Sequence, residues 1–263
     1  MKLFDTHFHF YEKNGKPEEF WETIKIPELE YVMAVGADYE ESKIARQFAH
    51  AIDNSWYAAG VHPHSADEID GIGCFDEFAG DEKLVAIGEI GLDYFYENSE
   101  RDIQKKVMQQ FLEKALELDL PAIVHCRDQN DKDQAYVDAY GMLDDFSKSG
   151  GRFELHCFAG TPFWAEKFLD IGAYLGVTGI VTFPAAQNIR DSVSVIPVEK
   201  LLIETDSPYL APVPHRGKPN NPGYVIEVAK KVADLKNISV EECAEITTSN
   251  AFKFFGIEGK SAC

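Results

Sequence analysis

Eight short apolar runs, rich in β-branched and aromatic residues, recur along the 263-residue chain and are the feature that most constrains its fold. They are Lys2–His7, Tyr31–Ala37, Trp56–His62, Leu84–Ile90, Pro121–Cys126, Arg152–Phe158, Ala173–Gly179 and Leu201–Asp206. Near-continuous apolar runs of this length are typical of parallel strands that are buried on both faces. The sequence therefore predicts a sheet of eight parallel strands.

Segments with helical periodicity lie between these runs. Residues Ser99–Leu118 repeat apolar side chains at every fourth position, and Tyr39–Ile52, Pro222–Leu235 and Val240–Phe255 show the same pattern. The alternation indicates the α/β class and closes most simply as a (β/α)8 TIM-like barrel, with a doubly wound open sheet as the alternative. Because such a barrel takes roughly 250 residues, we expect residues 1–263 to form a single domain.

The segment FDTHFHF, Phe4–Phe10, places Asp5, His7 and His9 at every second position. Alternate side chains of an extended chain share one face, about 7 Å apart. The two imidazoles can therefore converge on one metal ion while the residues between them pack behind the strand. Asp5 would lie deeper in the barrel, either as an outer partner of the ligands or as a structural carboxylate at the strand end.

Further histidines and acidic residues fall at or just beyond the carboxyl ends of the predicted strands. The full set is His7, His9, His62, Glu89, His125, His156 and Asp206. Since the reactive face of a parallel barrel lies at the carboxyl ends of its strands, these side chains are expected to meet there.

The residue types in this set point to a two-metal hydrolytic centre. Carboxylates that bridge two cations hold them about 3.5–4 Å apart in such enzymes. We expect His7, His9 and Asp206 at one ion, His125 and His156 at the other, and Glu89 between them. Imidazole ligands favour Zn or Mn over Mg, which prefers oxygen.

The charge of the chain limits its partners. Its 25 basic and 45 acidic residues give a net charge of −20, which opposes general attraction to nucleic acid or to anionic lipid. An anionic substrate would have to be attracted locally by the two cations.

Two further features concern the compartment. No run of about 18 apolar residues and no leader pattern occurs, so we predict no membrane span and a cytoplasmic location. Five cysteines without a CxxC pair fit a reducing compartment. Strand alternation predicts that Cys126 and Cys157 face the helices.

With these residues in place, the sequence resembles the TatD-related metal-dependent deoxyribonucleases of the amidohydrolase-like barrel superfamily. The matching segments are DTHFH (Asp5–His9), GVHPH (Gly60–His64), AIGEIGLDY (Ala86–Tyr94), PAIVHCRD (Pro121–Asp128), HCFAG (His156–Gly160), LLIETDSPYLAP (Leu201–Pro212), RGKPNNPGYV (Arg216–Val225) and SNAFKFFGI (Ser249–Ile257). They run nearly from end to end and in the family's order.

The resemblance implies the same six metal ligands, a barrel fold and exonucleolytic hydrolysis of DNA phosphodiesters, often with Mg. It places His62 near the substrate phosphate, with Arg127 two residues after the ligand histidine His125. Tyr11 and Asn221 depart from the family pattern. The family usually has Asp or Asn where this chain has Tyr11, and an acidic residue where it has Asn221. These departures concern substrate choice and leave the metal ligands unchanged.

The expected mechanism is attack of a metal-activated water on phosphorus, with Asp206 accepting the proton. His62 and His64 would hydrogen-bond the phosphoryl oxygens or protonate the leaving group. Arg127 would orient a phosphate or form an ion pair with Asp128. Arg216, in the basic segment PHRGK, would help to hold a single strand or a strand end.

Two other functions use the same residues. One is hydrolysis of a small phosphoester, an ester or aminoacyl-tRNA, because one barrel fold supports several chemistries. The other is a metal-binding scaffold without catalysis. The sequence carries no signal for an oligomeric state.

Overall fold

Eight parallel strands alternate with helices in the computed structural model, which describes residues 1–129 and 131–257. The strands are β1 Leu3–Phe8, β2 Leu29–Val35, β3 Ser55–Ala59, β4 Leu84–Asp93, β5 Ala122–Arg127, β6 Phe153–Leu155, β7 Tyr174–Val177 and β8 Leu201–Ile203. The helices are α1 Pro17–Ile24, α2 Tyr39–Ala51, α3 Arg101–Leu118, α4 Gln134–Lys148, α5 Pro162–Asp170, α6 Gln187–Val195, α7 Val225–Lys236 and α8 Val240–Phe255.

The strands are joined in sequence order from β1 to β8, and β8 returns to β1. Thr6 Oγ1 donates to the Ile203 carbonyl (3.1 Å), and the amide of Asp206 donates to the His7 carbonyl (2.9 Å). The predicted (β/α)8 barrel is confirmed, and the open sheet is wrong. None of the helices in the described ranges has the length and apolar run needed to cross a lipid bilayer.

Three of the strands that carry predicted site residues end earlier than the sequence indicated, and β3, which ends at Ala59, leaves His62 in the loop after it. Strand β6 ends at Leu155 and β8 at Ile203, so His156 and Asp206 lie in the loops that follow. Cys157 and Asp206 have φ angles of 47° and 54°, and a left-handed residue cannot continue a strand. The alternation placed Cys157 on the helix-facing side of a strand. In the structure, Cys157 does not lie on a strand.

Apolar side chains fill two regions of the barrel. The outer core lies between strands and helices and contains Cys126, as predicted. The barrel floor lies inside the strands, where Phe254 and Phe255 of α8 pack with Trp56 and other rings. The C-terminal helix therefore closes the barrel opposite the predicted reactive face.

Phe4 differs from the alternation predicted for FDTHFHF. Its ring packs inside the barrel floor, 5.7 Å from Trp56 and 6.0 Å from Phe255, whereas Phe8 packs outside. The pairing register of β1 with β2 shifts between Asp5 and Phe8. A one-residue shift moves side chains to the other face of a strand, which explains why residues four apart face opposite sides.

Glu154 of β6 is a buried acid without a visible role in packing. Its side chain is fully buried, and neither carboxyl oxygen has a hydrogen-bond partner in the described structure. Burial, reinforced by the nearby Glu204 carboxylate, raises the pKa of Glu154 well above its ordinary value. The side chain is therefore held in the barrel at an energetic cost.

We expect Glu154→Met to stabilise the fold, because an apolar chain of similar length removes two unpartnered oxygens from the interior. The expected gain in free energy of unfolding is about 1–3 kcal/mol, measured by urea denaturation. Glu154→Gln keeps a buried polar group and should give no comparable gain. A lower stability of the Met variant would mean that the carboxyl group makes a favourable interaction.

Candidate metal centre

Glu89, on β4, lies at the centre of the predicted ligands. Its side chain is only 3% exposed. One carboxylate oxygen, Oε2, is 3.5 Å from His7 Nε2 and 3.7 Å from His9 Nε2. This oxygen therefore faces the two imidazoles of β1 and of the loop after it.

The other oxygen of Glu89, Oε1, faces a second set of imidazoles. It is 3.1 Å from His125 Nδ1, 3.6 Å from His62 Nε2 and 3.9 Å from His156 Nε2. Burial opposes the charge of Glu89, but the surrounding histidines outweigh it and hold the pKa of the carboxyl well below its usual range. Glu89 is therefore an ionised group shared between two sets of ligands.

Glycines allow the strands to approach closely enough to build this arrangement. Gly91 has a φ of 143°, and a Cβ there would overlap the carbonyl oxygen of His125. A Cβ at Gly60 would lie 2.7 Å from the backbone carbon of Gly88. Any larger residue would push the neighbouring strands away from Glu89.

Asp206, in the loop after β8, completes the cluster. Its Oδ1 is 3.5 Å from His9 Nε2 and 3.8 Å from His156 Nε2. Burial raises the pKa of Asp206, but the hydrogen bond from His9 and the charges of neighbouring histidines lower it below its ordinary value. Its side chain is 15% exposed, against 3% for Glu89, so Asp206 is the more accessible of the two acids.

Two histidines are oriented by a partner on the ring nitrogen that faces away from the centre. His9 Nδ1 lies 3.0 Å from the Val35 carbonyl, and His156 Nδ1 lies 2.8 Å from Glu204 Oε1. The Val35 carbonyl accepts from Nδ1–H of His9, which leaves Nε2 with a free lone pair, as in metal-binding histidines. The contact of His156 with Glu204 is a close ion pair rather than an aligned hydrogen bond. The Glu204 and Glu89 carboxylates outweigh the effect of burial and raise the pKa of His156 to about 10.

His125 has a carboxylate at each ring nitrogen. Nδ1 faces Glu89, and Nε2 lies 3.1 Å from Asp93 Oδ2, which is also 3.0 Å from His64 Nε2. Burial opposes the charge of His125, but these carboxylates raise its pKa to about 9. With Asp93 accepting from Nε2–H, Nδ1 is the nitrogen available to a cation.

His62 is oriented differently from the other histidines of the cluster. The amide of His64 donates to His62 Nδ1 (3.1 Å), so we assign the proton of the neutral ring to Nε2. Burial lowers the pKa of His62 to about 3, which keeps the ring neutral. Nε2 of His62 therefore points into the site as a hydrogen-bond donor rather than as a metal ligand.

The side chains present fit one or more divalent cations. Three overlapping trios have nitrogen or oxygen atoms within 4.8 Å of one another: His7–His9–Glu89, His7–His156–Asp206 and His62–Glu89–His125. In the third trio we count only Glu89 and His125 as ligands, because the His62 ring is assigned as a donor. The Nε2 atoms of His7 and His9 are 3.3 Å apart, and two nitrogens on one Zn at about 2.0–2.1 Å would be separated by roughly 3.0–3.4 Å. The donor set is therefore already spaced for a shared ion.

Asp5 holds a different position from that expected of an outer ligand partner. Its carboxylate accepts hydrogen bonds from the amide (2.8 Å) and hydroxyl (2.6 Å) of Thr205. It makes no contact with an imidazole ring among the described residues. Asp5 thus fixes the loop after β8 at Thr205, one residue before Asp206.

The two arginines predicted to contact the substrate each lie over a phenylalanine ring. Arg127 makes no ion pair within the described ranges, and its guanidinium lies over the ring of Phe95 at 4.2 Å. Asp128, its suggested partner, accepts backbone amides instead. Arg216 lies over Phe183 at 3.9 Å, and no described contact joins it to the metal cluster.

Sequence reasoning missed three residues that position the cluster: Asp93, Glu204 and Asn220. Asn220 Nδ2 donates to the carbonyls of Thr205 (2.8 Å) and Tyr209 (2.6 Å), and so fixes the loop that carries Asp206. Glu204 lies two residues before Asp206, and that spacing was a usable signal for a group on the same face. Asn220 offered no signal of this kind, because only the folded loop brings it back.

Known proteins are similar to this chain in sequence and in fold. A model of the TatD related DNase family matches residues 4–256. An uncharacterized metal-dependent hydrolase of Bacillus subtilis, YabD, is 38% identical over 259 residues, which cover 97% of this chain and 99% of YabD. The 3'-5' ssDNA/RNA exonuclease TatD of Citrobacter rodentium is 36% identical over 238 residues, 88% of each protein. The crystal structure of YJJV, a TatD homologue from Escherichia coli, has a TM-score of 0.87 at 25% identity and covers 97% of this chain and 98% of its own.

We expect Glu204→Gln to weaken Zn binding by about 10- to 100-fold, the usual effect of removing a partner behind a ligand histidine. The amide keeps the size of the side chain but removes its negative charge beside His156. Isothermal titration calorimetry of the metal-free protein measures the change. Asp81→Asn is a matched control, because Asp81 contacts the exposed His50 at 3.0 Å. Equal affinity in wild type and Glu204→Gln would contradict the positioning role.

We also expect His62→Gln to retain the metal content of the wild type, whereas His125→Gln loses metal. The reason is that the Nδ1 contact of His62 leaves no lone pair on Nε2. Metal-to-protein ratios after dialysis, measured by mass spectrometry, test this difference. Loss of metal from the His62 variant would show that this ring is a ligand.

Proposed function

The chain belongs to the TatD-related DNase family and is a metal-dependent hydrolase, and we propose that it removes nucleotides from an end of single-stranded DNA. The relative from Citrobacter rodentium is named a 3'-5' exonuclease for single-stranded DNA and RNA. The observation that carries the proposal is the position of Glu89, whose two oxygens face two separate groups of imidazoles.

We propose two cations, with Glu89 as the bridging ligand. His7 and His9 would serve one ion through Nε2, together with Asp206. His125, through Nδ1, and His156, through Nε2, would serve the other. Imidazole-rich ligation favours Zn or Mn, while Mg is the metal that the family resemblance implies.

When bound, the cations would stabilise charge on the phosphoryl oxygens and make a water acidic enough to lose its proton. Asp206 is the group suited to accept that proton. Its carboxyl is ionised because its pKa is lowered by neighbouring histidines, which outweigh burial. Its side chain is also 15% exposed, so it would be accessible to a water molecule bound at the centre.

His62 is suited to bind the scissile phosphate. Its neutral ring presents Nε2–H toward the centre, since Nδ1 accepts the amide of His64. A fixed neutral donor stabilises negative charge that develops on a phosphoryl oxygen. His64 is held by Asp93 (3.0 Å) and is 31% exposed on its side chain, so it can contact a more distant part of the substrate.

The acidic surface favours a strand end over an internal stretch of duplex. With a net charge of −20, a long DNA segment lying across the protein would be repelled. A strand end brings few phosphates into this field and places one of them at the cationic centre.

Single-stranded DNA labelled at either end tests the proposed activity. With Mn or Mg, the wild type is expected to shorten the strand progressively from one end. Asp206→Asn should lower kcat about 10²- to 10⁴-fold, and Glu89→Ala should abolish cleavage together with metal binding.

Asp234→Asn provides a control, because Asp234 pairs with Lys231 on the outer helix α7 (2.7 Å). It should cleave like the wild type. A metal-loaded wild type that leaves DNA intact would refute the nuclease proposal. The same protein would then be assayed with aminoacyl-tRNA and small esters, and inactivity on all of them would indicate a scaffold.

A further inference from the structure

An exposed cluster of aromatic rings and one arginine lies beside the metal centre. Phe95 and Tyr96, directly after GEIGLDY, are 37% and 54% exposed. The Arg127 guanidinium lies 4.2 Å from the Phe95 ring centre and 4.9 Å from that of Tyr96. We call these three side chains the Arg127 platform. Two large rings exposed to water next to a cation that forms no ion pair with any residue described in the structure are not explained by folding alone.

The Arg127 platform is in contact with one side of the proposed centre. The ring of Tyr96 lies 5.4 Å from that of His64. His64 in turn lies 4.3 Å from His62. A group stacked on Tyr96 would therefore be one residue away from the proposed phosphate-binding histidine.

A second pair of aromatic side chains lies beside the other set of ligands. Tyr11 and Tyr209 join their hydroxyl groups at 3.1 Å. Their rings lie 6.0 Å and 6.2 Å from that of His9, and Tyr209 is 54% exposed. We call these two side chains the tyrosine pair. The loops after β1 and β8 supply one member each.

The order of the strands places these two groups on opposite sides of the mouth. The tyrosine pair follows β1 and β8, which are neighbours where the barrel closes. The Arg127 platform follows β4 and extends from β5, which are neighbours four strands away in an eight-stranded barrel. The metal centre therefore lies between two aromatic surfaces.

We propose that these surfaces are two base-stacking subsites, which hold the bases on either side of the scissile phosphate. The inference rests on the proposed nuclease function and names how a strand is held. Aromatic rings bind single strands by stacking with every type of base, and an arginine guanidinium adds a planar cation to the stack. Stacking also holds bases without adding positive charge to the surface of a protein with a net charge of −20.

The tyrosine pair also bears on substrate choice. Its hydroxyl contact joins two loops beside His9, so a base stacked there would lie against rings that the two loops hold together. Tyr11 is also the position that departs from the family pattern. The pair is therefore expected to affect substrate choice rather than the chemical step.

Binding of two short strands separates stacking from phosphate attraction. The probes are a fluorescein-labelled thymidine hexamer and a base-free chain with the same number of phosphates, both with phosphorothioate linkages that resist hydrolysis. Fluorescence anisotropy in Mn gives the two dissociation constants. The wild type is expected to prefer the hexamer.

Tyr96→Leu and Tyr209→Leu should each weaken binding of the hexamer by about 5- to 150-fold, the range expected for one stacked base. Tyr96→Phe keeps an aromatic ring and should retain the preference. Leu116→Ala is the surface control, because Leu116 has the same 37% exposure as Phe95 but lies near the end of α3. It should bind both probes like the wild type.

Equal wild-type affinity for the two probes, or an unchanged preference in both Leu variants, would overturn the inference. If labelled DNA is cleaved without any preference for bases, the nuclease proposal stands and the stacking subsites fail. If the preference is present but metal-loaded protein cleaves no DNA, the subsites stand and the nuclease proposal fails.

Discussion

The placement of one ionised carboxylate, Glu89, inside a ring of imidazoles is the constraint on which the centre depends. A buried charge is tolerated only when it is paired, and Glu89 meets this condition through histidines from several different strands and loops. The barrel supplies what the charge requires, because closure of β8 onto β1 brings the first and last ligands together. Fold and chemistry are therefore coupled: a shift of the closing strands would separate Asp206 from His9.

Much of this arrangement could be predicted from the sequence, because strand order and side-chain alternation are local rules. The barrel followed from eight apolar runs, and the convergence of the ligands followed from their positions at the strand ends. The errors came where the backbone leaves ideal geometry. Phe4 turned inward because of a register shift, and Cys157 left the strand through a left-handed conformation. Neither deviation has a signature in the identity of the residue itself.

The outer partners of the ligands show a second limit of sequence reasoning. Asp5 and Glu204 each lie two residues from a predicted ligand, so spacing alone treats them alike. In the structure, Asp5 hydrogen-bonds Thr205, whereas Glu204 contacts His156. The difference comes from packing: a Cβ at Gly176 would lie 2.7 Å from Glu204 Oε1, so a glycine on β7 leaves room for this carboxylate. Such a vacancy depends on a neighbouring strand and can be recognised only in three dimensions.

The acidic surface and the centre have opposite effects on a nucleic acid, and the difference explains how the substrate would be held. The net charge of −20 repels a polyanion at long range, so binding must come from contacts that act over a few ångströms. Cations can neutralise one phosphate, and aromatic rings can hold bases without any basic groove. Both contacts favour binding of a flexible strand end over binding of a duplex. The bases of a strand end can turn outward, whereas those of a duplex are already stacked on one another. The exposed rings of Tyr96 and Tyr209, on opposite sides of the ligands, are therefore consistent with the acidic surface rather than in conflict with it.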